Sequence, residues 1–352
     1  MSEPIRVLHV LNTGSYSGAE NVVITIINNL KSYENIQCTY LSLNGDIKER
    51  LEKENIDYYP VEKLSIKNLK KAIKILNPDI IHAHDYTATI ISSLCFTKAK
   101  IIAHIHNNSP WIKKRGIYSY VFLFSCLRCK KVFTVSDSIE KEYVFSKYIK
   151  NKIDCIGNPI DINKIKKLAD AYNINECYDM IFLGRLTEAK NPELLIKIIE
   201  NLIAKKPSII IAIVGEGDKF SDIKAILEKK SLIKNVRMYG FVENPYPILK
   251  KSKILCLPSK WEGYGLVAVE ALSLGIPVVC SGAGGLKNII NNQSGEICTD
   301  KDDYVKKIIE LLNNEQIYMI KSNNAKKRAE EFGNIGKYIS KIIDMYNLGG
   351  TR

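Results

Sequence analysis

The sequence predicts an α/β protein of two consecutive units, each a parallel sheet covered by helices. Three observations carry that expectation. The chain has 352 residues, beyond the roughly 250–300 at which one core usually stops growing. Short apolar, β-rich runs alternate with helical patterns, the rhythm of βαβ units. That rhythm pauses near Asn158-Pro159 and then restarts.

In the first half, strands are expected at 6–11, 37–43, 79–83, 100–105 and 131–135, with helices at 20–30, 69–76, 87–96 and 139–145. After a polar, helical stretch at 161–177, strands are expected at 180–183, 208–214, 235–239, 254–257 and 277–280. Helices fit 192–203, 221–229 and 266–274, and 303–346 reads as all helical. The expected divisions are an N-terminal unit 1–163, a C-terminal unit 164–335 and a final helix, 336–352, returning towards the N-terminal unit.

Composition excludes several classes. Hydrophobic residues at 46% and charged residues at 25% are ordinary for a globular chain. Nine cysteines, an odd number scattered along the chain, do not make a disulfide framework. Cys126 and Cys129 form a CxxC with no second pair to complete a zinc site. The opening apolar stretch reads as a strand and not a signal peptide. No apolar run approaches the ~20 residues that span a bilayer. A cytoplasmic protein is expected. The net charge of +13 suits nucleic acid, an anionic membrane or a phosphorylated substrate, and does not choose among them.

In open parallel sheets, ligands bind beyond the carboxyl ends of the strands, and the chemistry-bearing residues fall there. After the strand at 254–257 come Glu262, Gly263, Tyr264, Gly265 and Leu266, then a helix carrying Glu270. Glycines admit close approach to a ligand, and a helix start attracts anions. Glu270 is the only charge in an otherwise apolar helix, which is costly unless hydrogen-bonded. A ribose diol or a buried Lys or Arg would satisfy it. The eight-residue spacing spans at most roughly 12 Å at the helical rise, which suits two carboxylates on opposite ends of one nucleotide sugar. After the strand at 180–183 come Gly184, Arg185, Lys190 and Asn191. Two cations there suit a diphosphate; a solvated loop is the alternative. Gly14 and Gly18 in the first strand-to-helix loop, and Gly215 and Gly217 later, are weaker candidates for phosphate cradles.

Four of the five histidines form two H-x-H pairs, His82 with His84 and His104 with His106. Alternate residues of a strand share a face, so each pair could chelate a metal, with Asp85 nearby. No further carboxylate or cysteine cluster supports that, and no metal is expected. His106, at a strand end, is the candidate for substrate contact, while His82 and His104 are expected inside the domain. Asp300 and Asp302 make a D-x-D that is expected to cap a late helix.

Together these residues resemble glycosyltransferase family 4, a retaining family of the GT-B fold, in which two Rossmann-like domains face across a cleft. The resemblance covers nearly the whole chain. It rests on the E-x7-E segment from Glu262 to Glu270, the G-R…K-N segment from Gly184 to Asn191, and a linker at Asn158-Pro159-Ile160-Asp161. It implies that Glu270 binds ribose hydroxyls, that Glu262 and the N–H groups after it hold the transferred sugar, and that Arg185 and Lys190 bind the diphosphate. Gly18 would let the N-terminal loop approach, although Ser17-Gly18 stands where many members have Gly-Gly. His106 matches the family's T-V-H-D histidine and would contact the sugar near the reacting carbon. His106 and Glu262 are thus the catalytic candidates. Transfer would need no metal or other cofactor and proceed by front-face attack, the departing phosphate taking the acceptor proton. The early segments look most like hexosyltransferases of bacterial capsule and exopolysaccharide synthesis. That implies a UDP-linked donor and a glycan or lipid-linked acceptor.

Competing readings are a nucleotide-sugar epimerase of the same fold, a non-catalytic partner subunit, and nucleic-acid binding. The glutamate spacing argues against the first, and the retained cations and glutamates against the second. No nucleic-acid motif supports the third. A membrane contact is also expected. From Lys98 to Lys152 there are twelve Lys or Arg and three acidic residues. Lys113, Lys114, Arg115 and Arg128 are mixed with Trp111, Tyr118, Tyr120, Phe122 and Phe124. That mixture suits the inner face of the plasma membrane; a helix packed on the sheet is the alternative.

Overall fold

The computed structural model describes residues 3–347. The chain divides into two compact units. One comprises the chain up to Pro159 with the segment from Ile335; the other is Ile160–Asn334. The division after Pro159 falls four residues before the 163/164 boundary read from the sequence, and the final segment begins at Ile335 where 336 was expected.

In the first unit, β1 (Ile5–Val10), α1 (Gly18–Leu30), β2 (Ile36–Leu43), α2 (Ile47–Lys53), β3 (Tyr58–Val61), α3 (Ile66–Leu76) and β4 (Ile80–Ala83) follow in order. Then come α4 (Tyr86–Leu94), β5 (Lys100–Ile105), α5 (Ile117–Arg128), β6 (Lys131–Thr134), α6 (Asp137–Glu142) and β7 (Ile153–Cys155). The strands form one parallel sheet in the order β3-β2-β1-β4-β5-β6-β7. All four residues of β4 are buried, the mark of a strand covered on both faces.

The second unit holds α7 (Ile162–Ala169), β8 (Tyr178–Leu183), α8 (Pro192–Lys205), β9 (Ile211–Val214), α9 (Phe220–Lys229), β10 (Val236–Gly240), α10 (Tyr246–Lys250) and β11 (Ser252–Leu257). It continues through α11 (Leu266–Ser273), β12 (Val278–Ser281), α12 (Leu286–Ile289), β13 (Gly295–Cys298), α13 (Lys301–Asn313) and α14 (Glu315–Glu330). Its parallel sheet runs β10-β9-β8-β11-β12-β13. Ile181, Leu183, Leu255 and Leu257 face the core shared with Ala268, Val269 and Leu272 of α11, whereas Met180, Phe182, Ile254 and Cys256 face the core beneath α8 and α13. The last helix, α15 (Ile335–Asn347), belongs to the first unit and packs on α1.

Local chemistry starts the helices where the sequence suggests. Asp161 accepts from the Lys164 amide to cap α7, and Pro192 occupies the first turn of α8. Asp300 accepts from the amides of Asp302 and Asp303, both at 2.9 Å. The D-x-D is therefore a helix cap. The nine cysteines are free thiols, Cys126 and Cys129 buried among them.

Candidate functional site

In the second unit the sheet grows in opposite directions from β8 and β11. Such a switch point opens a crevice between two loops at the carboxyl ends of the strands. The loop after β8 carries Gly184, Arg185 and Lys190; the loop after β11 carries Glu262 to Gly265. Backbone and side chains join them. The Lys260 amide donates to the Ala189 carbonyl at 2.8 Å, and the Lys190 ammonium pairs with the Glu262 carboxylate, both largely shielded from solvent. The Lys and Glu that the sequence assigned to diphosphate and sugar thus hold each other, across 72 positions of chain. Arg185 is exposed, and its side chain makes no hydrogen bond or ion pair among the described residues.

Gly265 precedes α11 with φ at +102°, and a Cβ there would lie 2.7 Å from the Leu286 side chain. The positive φ is what calls for glycine, and the Leu286 side chain would have to shift for any larger residue. The amides of Leu266 and Val267 open the helix with no partner inside it, a ready site for anionic oxygen. Beside them, the loop after β12 presses backbone against backbone. At Gly284 φ is +54°, and a Cβ would fall 1.6 Å from the Glu262 carbonyl oxygen. The Gly285 amide donates to the Gly263 carbonyl at 3.2 Å. This loop was not singled out from the sequence, though its run Gly282-Ala283-Gly284-Gly285 was visible.

One turn into α11, Glu270 is partly buried, and the Tyr246 hydroxyl donates to it at 3.2 Å. Among the described residues it forms no ion pair, so neither Lys nor Arg is its partner. Burial pushes its pKa from 4.5 up to about 7, against the opposing pull of the Tyr246 hydrogen bond. A carboxylate in that state is short of donors, and a pair of vicinal hydroxyls would supply two. Tyr246 escaped the sequence reading because it lies 24 residues away on another helix.

The glycines at 215 and 217 do other work. A Cβ on Gly215 would lie 2.1 Å from the Gly184 carbonyl oxygen, and one on Gly217 2.5 Å from that of Leu186. They let the loop after β9 pack under the loop after β8. Gly14 likewise meets the backbone of the loop after β2, where a Cβ would come within 2.6 Å of the Asn44 carbonyl oxygen. These positions are explained by packing, with no phosphate needed.

In the first unit the switch point lies between β1 and β4. Gly18 opens α1 there, behind Ser17. Glu20, 2% exposed, takes a hydrogen bond from the Ser17 hydroxyl, so this helix start already has a carboxylate against its positive end. Asp85 accepts from the Ala88 amide at 2.6 Å and the Asn12 amide at 2.8 Å. It caps α4 and ties the loop after β4 to the loop after β1, which removes it as a metal ligand candidate.

All five histidines gather on one face of this sheet. His9 lies in register with His82; His84 lies just beyond β4, His104 on β5 and His106 just beyond β5. His82 and His104 are fully buried, and His106 is partly buried. Ring nitrogens of His9, His82 and His84, and of His84, His104 and His106, lie within 4.8 Å of one another, and could in principle hold a metal ion. Two of the contacts are direct imidazole–imidazole hydrogen bonds, however, and a dication buried among neutral rings would lack an anionic ligand. Burial lowers the pKa of His9 and of His106 to about 3. His82, His84 and His104 are lowered well below the ordinary value by burial and by one another. The rings are therefore neutral.

Comparison with known proteins agrees with this geometry. Residues 152–331 match the family model "Glycosyl transferases group 1", and residues 16–164 match "Glycosyltransferase Family 4". An uncharacterised glycosyltransferase of Haemophilus influenzae is 26% identical, over 95% of this chain and 96% of that one. A Campylobacter jejuni GalNAc-alpha-(1->4)-GalNAc-alpha-(1->3)-diNAcBac-PP-undecaprenol alpha-1,4-N-acetyl-D-galactosaminyltransferase is also 26% identical, over 93% and 94%. Among solved structures, Anabaena HepE in complex with UDP-glucose superposes with a TM-score of 0.84 at 18% identity, covering 98% of this chain and all of that one. The fold is that of the GT-B glycosyltransferases. With more than half of its length matched by the group 1 model, and with cation, carboxylates and an open helix start assembled at one switch point, the chain belongs to the glycosyl transferases group 1 family and is a glycosyltransferase.

Proposed function

We propose that this glycosyltransferase moves a hexose from a UDP-linked sugar to a glycan or lipid-linked acceptor, with retention, in the synthesis of a bacterial surface polysaccharide. The observation that carries the reading is the Lys190–Glu262 pair, with Arg185 exposed in the same loop and without a side-chain partner among the described residues, together with the open start of α11. Phosphate oxygens would meet Arg185 and Lys190; ribose hydroxyls would meet Glu270; the sugar would meet Glu262 and the amides from Gly263 to Leu266. Gly18 and His106 are assigned by resemblance, His106 to the sugar near its reacting carbon. In the reaction the acceptor oxygen bonds to the anomeric carbon as the bond to the diphosphate oxygen breaks on the same face. The acceptor proton passes to the departing phosphate. The names of the Campylobacter relative and the UDP-glucose complex of HepE support the donor and acceptor classes.

The deciding experiment is a thermal-shift screen of UDP-sugars, followed by NMR of the product's anomeric configuration after EDTA treatment. A donor at a hundredfold excess over Kd adds about 2.7 kcal/mol of stability. A stabilising UDP-sugar and an α-linked product from an α-linked donor, with activity intact in EDTA, support the proposal. An inverted product, absolute need for a divalent metal, or an epimerised donor with no acceptor product refutes it.

The same reading includes a membrane contact through α5. Ser119, Phe122, Ser125 and Cys126 of this helix are buried. Ile117, Tyr118, Tyr120, Phe124 and Leu127 stand between 47% and 75% exposed. A helix that buries two serines while exposing five large apolar side chains departs from an ordinary surface helix. Lys113, Lys114, Arg115 and Arg128 border that face, which suits an anionic lipid surface holding the acceptor.

A further inference from the structure

Three of the five histidines form a continuous chain of hydrogen bonds. His9 Nδ1 and His84 Nε2 are 2.9 Å apart, and His84 Nδ1 and His106 Nε2 are 3.1 Å apart. The outer end is His106 Nδ1, buried without a formed hydrogen bond, as is Asn158 Oδ1. The Asn158 side chain is near enough to favour the protonated His106 ring. The inner end, His9 Nε2, has no partner either. Rings packed on these three are His82, bonded to the Tyr346 hydroxyl at 2.7 Å, and His104, whose centroid is 4.1 Å from that of His106.

A neutral imidazole offers one donor and one acceptor, so such a chain has only two proton arrangements. In one, every ring carries its proton on Nε2: His106 donates to His84, His84 donates to His9, and an N–H is stranded in the core at His9 Nε2. His106 would then present a bare Nδ1 towards the bare Asn158 oxygen. In the other, every ring carries its proton on Nδ1: His9 donates to His84, His84 donates to His106, and His106 Nδ1–H points at the unpartnered Asn158 oxygen. This second arrangement satisfies two orphaned atoms and leaves one unmet acceptor in the core, which is tolerated more often than an unmet N–H.

We propose that His9 and His84 are positioning residues that lock His106 in its Nδ1–H form, its proton committed to Asn158, so that a neutral ring is held in one orientation at the carboxyl end of the sheet. This rests on the reading that His106 meets the transferred sugar. With Nε2 accepting from His84 and Nδ1–H turned to Asn158, both ring nitrogens are engaged, so the ring meets the sugar by its carbon edge and takes no part in proton transfer. The groups packed around the chain, His82, His104, Tyr346 and Asn158, are themselves uncharged.

The test reads tautomers directly. Because the sequence has five histidines and all five lie in this cluster, ring 15N–1H spectra of the histidine-labelled full-length protein report on nothing else. His9, His84 and His106 should each show the Nδ1–H pattern, unchanged from pH 5.5 to 8. His84→Phe should release His106 towards the Nε2–H form. It should lower kcat at least tenfold while UDP affinity changes less than threefold. Tyr346→Phe, which perturbs His82 alone, should leave the His106 pattern and kcat within threefold. Nε2–H on wild-type His106, a ring titrating within that pH range, or stoichiometric zinc shifting the ring nitrogens would overturn the chain. The two readings fail separately. The stated tautomers with full turnover in His106→Ala would support the chain and remove the sugar contact. The reversed tautomers with lost turnover in His106→Ala would do the opposite.

Discussion

Glu270 is the residue whose chemistry is most exposed to test. Its carboxyl is partly buried on an apolar helix, with the Tyr246 hydroxyl as its hydrogen-bond donor. Between pH 4.5 and about 7 the unfolded chain has lost this proton and the folded one retains it. The folded state then binds more protons, so ligand-free stability should fall as pH rises through that window and level off above it. Donor binding has the opposite sign. On the proposed assignment an ionised Glu270 would accept from both ribose hydroxyls, so UDP affinity should rise between pH 6 and 8, and Glu270→Gln should flatten that rise. Calorimetric titration at a series of pH values checks both. Charged hydrogen bonds in a closed site are worth about 1.5–3 kcal/mol. Glu270→Ala and Arg185→Ala should each weaken UDP binding at least tenfold; unchanged affinity in both, with native stability, would move the site elsewhere. These two residues were legible because each is a lone charge beside an apolar element. The Lys190–Glu262 pair was not, since its members are 72 positions apart and only the β8–β11 adjacency brings them together.

At the scale of elements, strongly patterned segments could be read and short edge strands could not. β5 begins and ends where the sequence placed it. β3, with four residues including Pro60, was missed, as was the three-residue β7. Both lie at sheet edges, where a proline or a missing ladder bond is tolerated and the pattern is weak. α5 shows why pattern alone was ambiguous: its apolar residues fit packing on the sheet, yet its buried face carries Ser119 and Ser125, whose hydroxyls bond to the Trp111 and Val121 carbonyls. Tyr118, Tyr120 and Phe124 are left outside, whereas Phe122, expected with them, is buried against Tyr86 and Tyr143. Each cation near an anionic surface contributes about 1 kcal/mol, so Lys113, Lys114 and Arg115 should give reversible, salt-sensitive binding. Sedimentation with anionic liposomes should pull the protein down, neutral liposomes should not, and changing these three residues to Glu should release it with UDP affinity unchanged. Binding that ignores salt, or none at all, would end the membrane reading and leave the transferase intact.

At the scale of the whole molecule, the chain visits the first unit twice. α15 leaves the second unit at Ile335 and joins the first, where Tyr338, Ile339, Ile342 and Tyr346 are buried. Tyr346 is 1% exposed and bonds to His82 on the central strand β4. Burying such a side chain contributes about 1.5–3 kcal/mol, so four together approach the 5–15 kcal/mol that holds a typical domain folded. A polypeptide ending at Asn334 should therefore lose stability selectively. By hydrogen exchange, β1, β4 and β5 should lose most of their protection, while β8, β9 and β11, whose core draws on α8, α11, α13 and α14, should keep theirs. UDP binding, placed on the second unit, should survive the truncation within a few-fold, whereas sugar transfer should be lost with the histidine face. Equal loss of protection in both sheets would instead make α15 a fastener for the entire chain, and unchanged protection in β4 would show that the buried contacts of Tyr346 contribute little.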